Sequence, residues 1–190
     1  MVKKPFLVLC VLLALQSYAI AGYYGGMRIN EYDPITGLYY KAIDIERKSR
    51  GFISKGPSTQ VTNISIFDPK DEKHALLFND SKIRDIQAVL FETGVEDGVL
   101  SYSASSHSQR IKNNHQATSR KPKDKLLVSV RVSSNDQVFT ELWLSNKKGE
   151  GLTLIDTFPA SYDWHIDVKN SKIRIVSSMN GQFTQKSIDW

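Results

Sequence analysis

Two stretches of this chain carry the same device. Tyr32-Asp33-Pro34-Ile35-Thr36-Gly37 and Phe67-Asp68-Pro69-Lys70-Asp71-Glu72 each lead from an aromatic residue through Asp-Pro into a turn, with a short apolar run on either side. An aspartate in that position accepts a hydrogen bond from the backbone two residues on, and the proline presets the backbone angle of the next position. Each stretch therefore predicts an antiparallel hairpin: Arg28 to Asp33 against Leu38 to Ile45, and Thr62 to Asp68 against His74 to Phe78.

The pattern continues along the chain. Glu141 to Asn146 and Leu152 to Phe158 flank Lys147-Lys148-Gly149-Glu150-Gly151, and Lys172 to Ser178 and Gln182 to Trp190 flank Met179-Asn180-Gly181. Glycine and asparagine at those points supply the permissive turn conformations. Ile86 to Glu92 and Gly98 to Ala104 are read as strands joined across 93–98, and Leu126 to Ser134 pairs with Gln137 to Ser145 across Asn135-Asp136. No stretch shows a sustained helical period, and the total is about twelve strands. The expected fold is all-β, built from up-and-down antiparallel hairpins as propeller-like blades, a sandwich or an open barrel.

The first residues read as a secretory signal. Lys3 and Lys4 precede an apolar segment from Phe6 to Leu15, and Ala19-x-Ala21 supplies small residues for cleavage after Ala21. The segment falls short of the roughly 20 residues that span a bilayer, although a retained anchor is the alternative. The only cysteine, Cys10, lies inside it. An exported chain of about 170 residues without cysteine has to be held by a packed core rather than disulfides, burying roughly 70% of its unfolded surface. This combination suggests a periplasmic or secreted protein of a bacterial envelope. Residues 22–104 form the first hairpins, 105–124 a basic polar loop and 125–190 a second meander, within one domain.

A tryptophan-bearing strand followed by a polar turn and another strand occurs at Leu142-Trp143-Leu144-Ser145-Asn146, Gly149 and Leu152-Thr153-Leu154. This resembles the blade repeats of TolB-like periplasmic β-propellers. Here the turn is Asn146-Lys147-Lys148-Gly149 in place of the usual acidic one. A membrane barrel is disfavoured although the chain closes on Trp190, because alternate positions back from it include Lys186, Thr184 and Gln182, which do not suit lipid.

Ser103 to Lys125 breaks the apolar alternation. Arg110, Lys112, Arg120, Lys121, Lys123 and Lys125 stand there against Asp124 alone, so this stretch by itself nets +5, as much as the chain's whole formal net charge of +5. Such a run is either a solvated insertion or a loop for an anionic partner, such as acidic lipid headgroups or lipopolysaccharide phosphates. Nucleic acid is not expected, since no aromatic residue interrupts the run for base stacking.

Catalytic constellations are scarce. There is no Gly-x-Ser-x-Gly elbow and no phosphate-cradling glycine pattern. His107 and His115 lie in the basic stretch, a poor place for a rigid triad. Asp163, His165 and Asp167 alternate on one strand face and are the best metal-like or enzyme-like cluster, but a single histidine between carboxylates needs no metal. No cofactor is expected. Tyr39-Tyr40 offers one exposed and one buried aromatic if it lies on a sheet.

These features point to a non-enzymatic protein that binds a protein partner in the cell envelope through a β-sheet surface. An immunity or inhibitor protein neutralising an envelope-acting effector is one form of this reading. The alternatives are an adaptor using the 105–125 loop on an anionic surface, and an enzyme or metal protein using Asp163, His165 and Asp167. Open edge strands would favour pairing with a second copy.

Overall fold

The computed structural model describes residues 29–47, 58–104, 110–114, 118–179 and 181–190. The segment read as a leader with its cleavage motif, His107, His115 and Asn180 of the last turn lie outside these residues. The described chain is all-β, with β1 (Asn30–Tyr32), β2 (Tyr39–Arg47), β3 (Ser58–Asp68), β4 (Lys73–Leu76), β5 (Asp85–Glu96), β6 (Val99–Ala104), β7 (Ile111–Lys112), β8 (Leu126–Ser134), β9 (Gln137–Ser145), β10 (Thr153–Pro159), β11 (Asp163–Asp167), β12 (Lys172–Met179) and β13 (Gln182–Asp189).

They form three sheets, ordered β1-β2-β3-β4, β10-β9-β8-β5-β6 and β13-β12-β11-β7, none closed into a barrel. Two apolar clusters show how these stack. Tyr40, Ile64 and Ile66 of the first sheet, with Leu38 just before β2, pack on Ile86, Val89, Phe91, Val128 and Val130 of the second. Trp164, Ile166, Ile173 and Ile175 of the third pack on the opposite face of the second, against Ala88, Leu90, Leu127 and Leu142. The architecture is a three-layer β-sandwich with the five-stranded sheet in the middle.

The central position of β5 and β8 follows from their composition. Ile86 to Phe91 and Leu126 to Val130 are near-continuous apolar runs, as expected of strands covered on both faces. A bulge between Ile86 and Ala88 lets the strand turn Ala88 and Leu90 to one layer and Ile86, Val89 and Phe91 to the other.

Most hairpins form where expected, with one turn shortened and one strand added. The β5–β6 turn is only Asp97-Gly98, both at positive φ, rather than 93–98, because a bulge between Glu92 and Gly94 lets β5 continue to Glu96. The described residues hold thirteen strands, in line with the expected count of about twelve. The extra one is β7, inside the basic stretch, which pairs parallel to β11 through Ile111 opposite Ile166 and Lys112 opposite Asp167.

The two Asp-Pro turns are indeed one device. Asp33 Oδ1 accepts from the Ile35 N–H at 3.2 Å, and Asp68 Oδ1 accepts from the Lys70 N–H at 3.0 Å. They also converge on a third turn. Lys147 Nζ reaches Asp33 Oδ2 at 2.8 Å and Lys148 Nζ reaches Asp68 Oδ2 at 3.0 Å, so adjacent lysines of the β9–β10 turn clip both hairpins of the first sheet to the central one.

Gly149 makes this approach possible. Its φ is +81°, and a Cβ there would lie 2.8 Å from Ile66 Cδ1 and 3.3 Å from Leu77 Cδ1, both buried. Gly149→Ala is expected to destabilise the fold by about 2 kcal/mol, of which about 1–2 kcal/mol is the backbone cost of a positive φ. A urea midpoint unchanged in that variant would refute the tight approach.

Candidate functional site

The basic stretch is largely turned inward. Arg120 donates two hydrogen bonds to the Glu92 carboxylate, Nη2 to Oε1 at 2.5 Å and Nη1 to Oε2 at 2.7 Å. The Lys123 ammonium donates to the Trp190 carbonyl, and Lys125 lies 5.9 Å above the Trp190 ring. Arg110 donates to the Trp164 carbonyl at 2.9 Å and covers the Trp164 ring at 4.7 Å. Burial lowers the pKa of Arg110 and of Lys123, in the latter helped by Lys125 and Arg120. Lys112 and Lys121 are the two of the six that stand exposed.

The centre of this arrangement is Glu92, which the sequence reading passed over. Its side chain is fully buried and also accepts from the Lys123 N–H at 2.6 Å, the Trp190 indole N–H at 2.6 Å and the Tyr102 hydroxyl at 3.0 Å. Burial alone would raise its pKa, but the donors from Arg120, Lys123 and Trp190 outweigh that and hold it below the ordinary value. The carboxylate has both oxygens occupied by donors and its charge matched by Arg120. It anchors 118–123 and Trp190 to β5. The sequence signal was there, as a lone acid ending the apolar run Ile86 to Phe91.

Asp163, His165 and Asp167 lie on β11 as expected, but Asp167 is already occupied. It accepts from Asn113 at 3.0 Å, from the Asn170 side chain at 2.7 Å and from Arg174 Nη2 at 3.0 Å. Against the desolvation of burial these donors hold its carboxyl at about 2. His165 sits directly opposite Arg174 on β12, and burial together with Lys112 lowers its pKa. Among the described residues no group of three or more His, Cys, Asp or Glu side chains is placed to hold a metal ion. The cluster ties β7, β11 and β12 together.

The two outer faces of the sandwich differ in character. On the β13-β12-β11-β7 sheet, the outward positions Asp163, His165, Arg174, Gln185 and Ser187 are polar, and the apolar ones are half-buried Val176 and, near the hairpin tip, exposed Phe183. On the β1-β2-β3-β4 sheet apolar side chains predominate. Tyr32, Tyr39 and Phe67 stand directly opposite one another on successive strands, with ring centroids 4.7 Å and 6.3 Å apart, and His74 ends the row. Ile43, Ile45 and Leu76 extend the same face beside Lys41 and Ser65. These six apolar side chains are all exposed, Tyr39 by 48% and Tyr32 by 47%. Tyr39 and Tyr40 divide as the strand period requires, Tyr40 being buried with its hydroxyl donating to the Lys147 carbonyl at 2.8 Å.

Comparison with protein families, curated proteins and solved structures gave no match. The chemistry of the face is therefore the guide. An apolar and aromatic patch, in which Lys41 is the one charged outward side chain described on β2, has the composition of an interface core, where aromatic residues are enriched and charges depleted. Sequence alternation separated Tyr39 from Tyr40 without saying which of them faces outward. Tyr32 and Phe67 are consecutive with their turn aspartates, and only the pairing register aligns them with Tyr39.

Proposed function

We propose that this protein is a non-enzymatic binding protein of the bacterial envelope that docks a protein partner through the outer face of the β1-β2-β3-β4 sheet. The observation that carries the reading is the asymmetry between the two outer faces: one is mainly polar, with Phe183 exposed near its hairpin tip, and the other presents Tyr32, Tyr39, Phe67, Ile43, Ile45 and Leu76 together. Cross-strand aromatic pairs stabilise a sheet by about 0.2–1 kcal/mol each, which accounts for one row but not for three further exposed aliphatic side chains beside it. The leader-like residues 1–21 support export, and the absence of disulfide chemistry after Ala21 fits a chain held by its two cores. Neutralising an envelope-acting effector is one task such a face could perform. An anionic-surface adaptor has less support, because Arg110, Arg120, Lys123 and Lys125 make contacts within the fold.

The test compares wild type with a Tyr39→Ala/Phe67→Ala variant and a Lys112→Gln/Lys121→Gln variant in capture from envelope extract at low and high salt. A stoichiometric protein partner is expected to survive high salt and the lysine changes. It should bind the aromatic variant about 30-fold or more weakly, the scale of losing one interface hot spot. Capture that is salt-sensitive and lost only with the lysines would replace this reading with the adaptor. Circular dichroism would show that both variants keep their strands.

A further inference from the structure

A sheet edge is an open row of backbone donors and acceptors, and folded proteins usually blunt it with short strands, bulges, proline or charge. Five of the edges here follow that rule. β1, β4 and β7 are three, four and two residues long. β10 is bulged between Leu154 and Asp156 and ends at Pro159. Beside the start of β6, the Thr118 N–H donates to the Gly98 carbonyl, and β5 bulges opposite that strand.

β13 has the least of this protection, its only charges being Lys186 and Asp189. It is eight residues long, pairs with β12 at every position without a register shift, and has no strand on its other side among the described residues. It contains no proline. Its two charges are already matched: Lys186 donates to Asp156 of β10 at 2.8 Å, and Asp189 accepts from Lys172. At the tip of its hairpin Met179 and Phe183 are 52% and 68% exposed.

We propose that β13 is a homodimerisation edge, pairing antiparallel with β13 of a second copy across a two-fold axis centred on Gln185. The register follows from symmetry and charge. A two-fold axis normal to the sheet keeps every side chain on its own face, and directly opposed residues share a face, so each residue must oppose one an even number of positions away. Two registers then give the longest overlap, centred on Gln185 or on Lys186. The second sets two lysines against each other, which disfavours it.

Centring on Gln185 opposes Lys186 to Thr184 of the partner subunit, Ile188 to Gln182 of the partner subunit and Phe183 to Ser187 of the partner subunit. No like charges meet. Within each copy, Arg174 donates to Ser187 Oγ at 2.9 Å, so each Phe183 ring would settle beside a guanidinium, a favourable contact when water is excluded. One strand pair and two aromatic side chains fall at the small end of interfaces, below about 1,200 Å², so the dimer is a concentration-dependent one.

Sedimentation velocity of the purified protein over a concentration series tests this. Wild type is expected to pass from monomer to dimer. Gln185 is exposed and its side chain makes a single 3.3 Å hydrogen bond, to Ser187, so changing it leaves the fold intact. Gln185→Lys alone and Gln185→Glu alone each place like charges at the axis and should raise the dissociation constant about tenfold or more. An equimolar mixture of the two variants should dimerise at least as well as wild type. A wild type that stays monomeric throughout overturns the proposal. So does a dimer indifferent to both changes, and one that responds instead to Tyr39→Ala/Phe67→Ala would place the contact on the opposite layer.

Discussion

Lys147→Met is expected to lower the unfolding free energy by about 3–5 kcal/mol, the usual cost of leaving one member of a buried ion pair uncompensated. The Lys147 and Asp33 side chains are both almost wholly removed from solvent. The ammonium also donates to the Glu92 carbonyl, while the Lys147 main chain is held by Asp124 through its N–H and by Tyr40 through its carbonyl. Methionine fills the volume but leaves Asp33 charged and buried. A second change, Asp33→Asn, removes that charge while keeping an oxygen for the Ile35 N–H, so the double variant should recover a large part of the loss.

Lys148→Met provides the control. Lys148 and Asp68 repeat the same contact one residue on, but the lysine side chain is more than half exposed. Water screens that pair, so its loss should leave the urea midpoint nearly unchanged. Equal sensitivity at the two lysines would contradict the view that burial, not contact geometry, sets the strength of the clip.

The second large effect is expected at Glu92. Glu92→Gln keeps the shape but presents an amide N–H₂ towards donors from Arg120 or Lys123, and it leaves the guanidinium without a counter-charge. A loss of about 3–5 kcal/mol follows from the same desolvation argument. The pH dependence gives an independent check. The folded-state pKa of Glu92 lies below its ordinary value of 4.5, so its contribution is complete above about pH 4.5 and is lost as pH falls through the folded pKa. Wild type should therefore lose stability on acidification below about pH 4.5 more steeply than Glu92→Gln, as unfolding curves at several pH values would show. Parallel pH profiles would mean that the folded protein does not hold the carboxylate ionised.

How much of this was legible in the sequence depended on distance along the chain. The Asp33 and Asp68 turns were readable because donor and acceptor lie two residues apart. Asn135-Asp136 was readable as a two-residue hairpin turn for the same reason, and both residues take the positive φ that such a turn requires. Tyr39 and Tyr40 were divided correctly by the strand period.

The basic stretch was the least legible part. Its cations looked like a solvated or partner-binding run because their partners are remote: Glu92 lies 28 residues from Arg120, Trp164 54 from Arg110 and Trp190 67 from Lys123. β7 escaped notice because two residues carry no period. The central layer left a usable trace in the apolar runs of β5 and β8, since a strand covered on both faces cannot alternate.

By itself, then, the sequence determined the all-β class, nearly every hairpin and the two repeated turns, because these depend on backbone preferences within a few residues. Tertiary structure alone decided that the hairpins stack in three layers, that Lys147 and Lys148 clasp the two Asp-Pro turns, that Glu92 draws the basic stretch inward, and that Tyr32, Tyr39 and Phe67 form one exposed row. Each of those depends on which strands pair and in what register, and that choice is made by the burial of whole faces rather than by any local run of residues.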